Sequence, residues 1–129
     1  MNPTVLVPII TGKEHESPMI EKLKRSDKVV LLFVADEKLR DVPTGFAGAR
    51  IKAAESAMEK IKNALPREIG VKEYIEWGSW SDKVVNIARL EEADAVLLFP
   101  SETSELIKPF LRSAGLGFET VEETASEQP

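Results

Sequence analysis

The 129 residues contain no cysteine, one histidine and one glutamine. The missing cysteines exclude disulfides, thiolate zinc sites and thiol catalysis, and they fit a reducing cytoplasm. No His, Asp and Glu set has metal-ligand spacing, so no metal is expected. No apolar run approaches the ~18 residues that a membrane span requires. The first apolar stretch, Val5 to Ile10, is too short for a secretory signal and lacks its basic flank. A basic excess is missing as well: 17 Lys and Arg stand against 22 Asp and Glu. Four of those acids, Glu119, Glu122, Glu123 and Glu127, fall in the last eleven residues, and without them the charges nearly balance. A nucleic-acid surface needs a basic face, so no nucleic-acid partner is expected. With no Pro/Gly/Ser-rich linker and no internal repeat, one domain is expected over 1–121, followed by an acidic, disordered tail at 122–129. Seventeen Glu and many Lys give the chain a thermophile-like composition.

What the chain does have is an alternation of apolar runs and amphipathic stretches, shown best from Trp77 to Ser101. Gly78 turns the chain, Ser79 or Ser81 caps, and Val84, Val85, Ile87, Ala88 and Leu90 form the stripe of a helix ending near Glu92. Ala95 to Phe99 is then an unbroken apolar run, suited to a strand covered on both faces, which Pro100 ends before Ser101 opens a polar loop. In an open parallel sheet, ligands bind at the carboxyl end of such a strand.

Earlier in the chain, Thr4 to Ile10 reads as a buried first strand, and Ser17 as the cap of a helix with Pro18 at its first position. Val29 to Val34 is a second central strand. Asp36 to Gly48 is a polar crossover placed to act as a lid. Ile51, Ala54, Met58, Ile61 and Leu65 then mark the longest helix, stopped by Pro66. Val71 to Trp77 alternates like a strand near the sheet edge. After Ser101, Leu106, Ile107, Phe110, Leu111 and Ala114 predict a short helix, which either kinks at Pro109 or restarts there. Phe118 to Val121 supplies a last edge strand. This β-α alternation argues for a three-layer α/β/α sandwich with right-handed crossovers.

In this order and spacing the residues resemble the universal stress protein family. Gly78, Val84, Ala88, Ala93, Asp94 and Ala95 to Leu98 follow the family pattern without a gap. Val5-Leu6-Val7-Pro8 and Leu31-Leu32-Phe33-Val34 resemble its first two strands. The resemblance implies the adenine nucleotide alpha hydrolase-like fold, a mainly parallel five-stranded sheet of order 3-2-1-4-5. It also implies a homodimer through the last strand, at Phe118, Thr120 and Val121. ATP-binding members of the family carry Gly-x2-Gly-x9-Gly-Ser/Thr after the fourth strand. Here the glycine positions fall on Phe99, Glu102 and Arg112, and only the hydroxyl, Ser113, is kept. The family's acidic residue at the end of the first strand aligns with Ile10. A phenylalanine side chain is expected to fill the space that glycine leaves for phosphate, and a glutamate to repel the anion.

Candidate ligand contacts are weighed against ordinary roles. The Ser101, Thr103, Ser104 and Ser113 hydroxyls follow a strand, where loop and cap chemistry is the preferred reading. Thr11-Gly12-Lys13 follows the first strand; its backbone is suited to an anion, and equally to a simple turn. Lys108 and Arg112 suit a phosphate or a solvated helical face. Gly45, Gly48 and Arg50 mimic part of a phosphate loop but lack its Gly-Lys-Ser/Thr ending. His15 reads as a surface residue, and Trp77 and Trp80 as core or helix-end covers.

The sequence therefore points to a cytoplasmic universal-stress-protein-like regulatory protein. It is not an enzyme, needs no cofactor, does not bind ATP in the usual way, and acts through homodimerisation or partner binding. The alternative is a sensor for an ATP- or AMP-type ligand with an altered phosphate loop. In that case Ile10, Thr11, Gly12, Val34, Ser101, Thr103 and Ser113 form the pocket, with Val34 meeting adenine through its backbone and Ser113 holding phosphate.

Overall fold

The structure, a computed structural model, describes residues 3–36 and 47–121. The lid expected at Asp36 to Gly48 and the acidic tail fall largely or wholly outside these residues. Along the chain run β1 (Thr4–Pro8), α1 (Ser17–Leu23), β2 (Lys28–Ala35), α2 (Ala47–Ala64) and β3 (Gly70–Trp77). They are followed by α3 (Trp80–Leu90), β4 (Ala95–Leu98), α4 (Glu102–Ser113) and β5 (Phe118–Thr120). The sheet order is β3-β2-β1-β4-β5, with every neighbouring pair parallel. This is the three-layer architecture expected from the alternation of elements.

Strand parity sorts the core into two layers, because successive side chains point to opposite faces. Val5, Val7, Val29, Leu31, Leu97 and Phe99 pack with Met19 and Leu23 of α1 and with Ala54, Met58 and Ile61 of α2. Leu6, Val30, Leu32, Val96 and Leu98 pack instead with Trp80, Val84 and Ala88 of α3 and with Ile107 and Leu111 of α4. The central strands are buried on both faces, which is why they read as continuous apolar runs.

One proline positions the site. In β1 the amide of Ile9 donates to Leu32 of β2, while Thr4 accepts from Asp94 beside β4, so odd residues bond toward β2 and even residues toward β4. Pro8 therefore lacks its N–H on the β4 side. The β1–β4 register runs only over Val5↔Ala95 and Leu6↔Val96, and beyond it the two strands part. The chain reverses its direction of growth between these strands, so the crevice opens at the topological switch point.

Three local expectations are corrected. Helix α1 is entered through Glu16 with no side-chain cap; Ser17 is its first helical residue, and Pro18 sits one position further in. Helix α4 does not restart at Pro109 but runs through it, and it begins at Glu102, where a polar loop was expected. Pro109 removes only a bond to the Glu105 carbonyl, and both residues lie on the exposed face, where water can satisfy that carbonyl. The early start comes from Ser101, whose Oγ accepts from the Ser104 amide at 3.0 Å.

A buried carboxylate ties the amino-terminal end of the sheet together. Glu91, just past α3, has a side chain only 5% exposed. It takes Lys28 Nζ and Lys72 Nζ at 2.7 Å each and accepts the Tyr74 hydroxyl. Hydrogen bonds from Lys28, Lys72 and Tyr74 hold its carboxyl down at about 2, below the ordinary 4.5. A depressed carboxyl pKa stabilises the fold above the unfolded value and loses that contribution as pH falls through the folded one. Glu91→Gln should therefore cost roughly 2 kcal/mol at neutral pH, the half-exposed lysine ends being screened by water. The gap between wild type and variant in urea unfolding should close between about pH 4.5 and 2. A gap that stays constant across this range would show that Glu91 acts by packing alone.

Candidate functional site

At the carboxyl end of the sheet lies a cavity of about 410 Å³. Its apolar wall comes from Ile9, Ile10, Phe33, Val34 and Trp80, with Ala53 and Ala54 of α2. Trp80 is fixed as part of that wall: its ring meets Phe33 edge-on at 6.1 Å and 86°, and its amide donates to Asp36 Oδ2 at 2.9 Å. Thr11, Gly12, Asp36, Arg50, Ser101 and Thr103 complete the lining. Six of the seven candidate pocket residues thus converge here: Ile10, Thr11, Gly12, Val34, Ser101 and Thr103. Ser113 does not join them. It is the exposed last residue of α4, carried away from the crevice by the length of that helix.

The loop after β1 is built around a carboxylate, that of Glu14. Glu14 is fully buried. Its Oε2 accepts from the Ile10 amide at 3.0 Å, the Thr11 amide at 2.9 Å and the Thr11 hydroxyl at 3.1 Å, while Oε1 accepts from the Gly12 amide at 2.9 Å. Three successive backbone donors curl around one anion, an arrangement that needs a positive φ at Gly12, here +85°. The Thr11-Gly12 turn does meet an anion, and the anion belongs to the chain itself.

The hydroxyls after β4 are similarly engaged. Ser101 Oγ caps the Ser104 amide and donates to Ser104 Oγ at 2.9 Å, and Ser104 Oγ donates to the Phe99 carbonyl at 2.6 Å. Phe99 requires a correction. Its ring does not fill the space beside a ligand; it is 1% exposed and packs in the α1–α2 layer of the core. Strand parity sends it there with Leu97. Glu102 and Arg112, at the other two glycine positions, are exposed on α4. Arg112 stacks its guanidinium 5.4 Å from the Phe118 ring, and Lys108 pairs with Glu105 at 2.6 Å.

Arg50 differs from these groups. It lines the cavity, its Nε is buried, and that atom has no hydrogen-bond partner among the described residues. His15 is half-buried, not at the surface as expected, and its Nδ1 is likewise covered without a partner among those residues. The two tryptophans divide: Trp80 is buried in the wall, whereas Trp77 is 54% exposed at the end of β3. Of the interface residues named from sequence, Phe118 and Thr120 lie half-buried on the edge strand β5. Val121 is 1% exposed and belongs to the core, so its side chain is not available to a partner. Among the described residues no group of three or more His, Cys, Asp or Glu could hold a metal ion, and no helix is long and apolar enough to cross a membrane.

No family model and no curated protein matches the chain. Solved structures do. Universal stress protein UspA from Lactobacillus plantarum is similar at a TM-score of 0.68 and 14% identity, over 94% of this chain and 98% of that one. A universal stress protein family protein from Arabidopsis thaliana, solved with AMP bound, matches at 0.61 and 20%, over 98% and 95%. A universal stress protein in complex with cAMP matches at 0.62 and 15%, over 94% and 97%. Strand order, layering and these near full-length similarities agree: the chain has the universal stress protein fold.

Proposed function

We propose that the chain is a cytoplasmic, non-enzymatic regulatory protein of the universal stress type, which does not take ATP in the family's usual way and acts as a homodimer or on a protein partner. The observation that carries this reading is Glu14. A triphosphate is held by converging backbone N–H groups and hydroxyls. In the β1 loop those donors already bind a carboxylate, and after β4 the Ser101 hydroxyl caps its own helix.

The association surface is the outer edge of β5. Gly117 and Val121 bond inward to β4, so the alternate residues Phe118 and Thr120 turn their backbone groups outward. An open edge of this kind invites strand pairing. Sedimentation velocity at micromolar protein, with and without magnesium ATP, tests the homodimer form of this reading. A dimer that is unchanged by ATP is expected. A monomer throughout, or an assembly that forms only with ATP, would overturn it.

The second reading, a sensor for an AMP-type ligand, is favoured by two structural neighbours that hold AMP and cAMP. The cavity lies at the switch point of the sheet, as nucleotide sites in such folds do. On this reading Val34 meets the base, and the phosphate group meets Arg50, whose buried Nε has no partner among the described residues.

A further inference from the structure

We propose that the switch-point cavity binds a small monocarboxylate with an apolar body, its carboxylate held by Arg50, in preference to a phosphate ester. This goes beyond the reading above by naming a ligand class, and association through β5 stands or falls separately.

The inference rests on which polar groups around the cavity are already satisfied. The Ile10, Thr11 and Gly12 amides and the Thr11 hydroxyl all donate to Glu14. Thr11 Oγ1 also accepts from the Lys13 amide at 2.9 Å. Ser101 Oγ is held by Ser104, Asp36 accepts the Trp80 amide, and Thr103 and Asp36 have further interactions of their own. Among the described residues, Arg50 Nε is left as a buried donor without a partner, on a residue that lines the cavity beside an apolar wall of Ile9, Ile10, Phe33, Val34 and Trp80.

A buried donor without a partner carries a desolvation penalty that a ligand acceptor relieves. The guanidinium fork matches a carboxylate with two parallel hydrogen bonds, so one arginine is enough for that group. A phosphate dianion asks for more. It brings a second negative charge and an additional oxygen, Asp36 in the lining and Glu14 in the β1 loop are buried carboxylates, and the Ile10, Thr11 and Gly12 amides are already taken by Glu14. The cavity volume, about 410 Å³, falls within the usual range for small-ligand sites and suits an aromatic ring or short aliphatic chain against Trp80 and Phe33.

The test uses three probes that share a phenyl body: phenylacetate, phenylacetamide and phenyl phosphate. Thermal unfolding and titration calorimetry on the full chain should show saturable stabilisation by phenylacetate. Phenylacetamide and phenyl phosphate should bind at least roughly tenfold more weakly, the loss expected for one charged hydrogen-bonded pair. Arg50→Gln should lower phenylacetate affinity by a similar factor. If that variant does not fold, the wild-type ranking of acid over amide and phosphate decides alone. Equal or tighter binding of phenyl phosphate, phenylacetate binding that survives in Arg50→Gln, or no saturable binding of phenylacetate would each overturn the proposal.

Discussion

Phe99→Gly should lower the free energy of unfolding by about 4–6 kcal/mol, enough to leave much of the protein unfolded. The ring is 1% exposed among Ile9, Met19, Leu97 and Val121, so its removal opens a cavity in the α1–α2 layer, and glycine adds chain entropy to the unfolded state. The substitution introduces glycine at the position where the ATP-binding pattern has its first one. It is therefore expected to damage the core without creating a phosphate loop. Glu102→Gly, at the exposed first turn of α4, should cost less than about 1 kcal/mol. Urea denaturation of the two variants separates the cases. A loss below about 2 kcal/mol for Phe99→Gly would mean that the ring is not the packing element described.

Glu14→Ala is the second large effect, expected to cost about 3 kcal/mol, close to 1 kcal/mol for each backbone amide that loses its acceptor. Glu14→Gln keeps the shape but exchanges a charged acceptor for a neutral one and places an N–H₂ against other donors, so it should recover only part of that loss. Because the loop amides form an anion receptor, formate should restore stability to Glu14→Ala and leave wild type unchanged. Denaturation curves with and without formate at constant ionic strength check this. No formate response in the alanine variant would mean that the loop collapses without its carboxylate.

The fold was readable because its signals are local and repeated. Val29 to Val34 and Ala95 to Phe99 are apolar without interruption because both of their faces meet helices. The spacing of Ala54, Met58 and Ile61 marks the buried side of α2 in the same way. The convergence of Ile10, Val34 and Ser101 followed from the rule that parallel strands share a carboxyl end. Ser113 was placed by family spacing alone, and it lies at the far end of the twelve-residue helix α4 from the crevice.

Electrostatic structure was the part that escaped. Glu14 sits between Lys13 and His15 in a stretch that reads as a solvated turn, and its partners are backbone amides, which every sequence contains. The one clue was a glycine two residues earlier in a loop directly after a strand. Glu91 takes its cations from Lys28 and Lys72, on strands far away in sequence, and periodicity carries no information on such pairs. The orientation of Phe99 was within reach, since Ala95, Leu97 and Phe99 share strand parity and hence a face. Pro8 also held a readable clue: a proline in a central strand marks the side on which pairing must stop.

The central claim is that the donors of the β1 loop are closed to phosphate by Glu14. Amide NMR on labelled protein addresses it directly, by following the Ile10, Thr11 and Gly12 signals during a titration with ATP to millimolar concentration. These three resonances are expected to stay in place with ATP in the wild-type protein and to move in Glu14→Ala, where the donors are vacated. Saturable shifts of all three on adding ATP to the wild-type protein would contradict it.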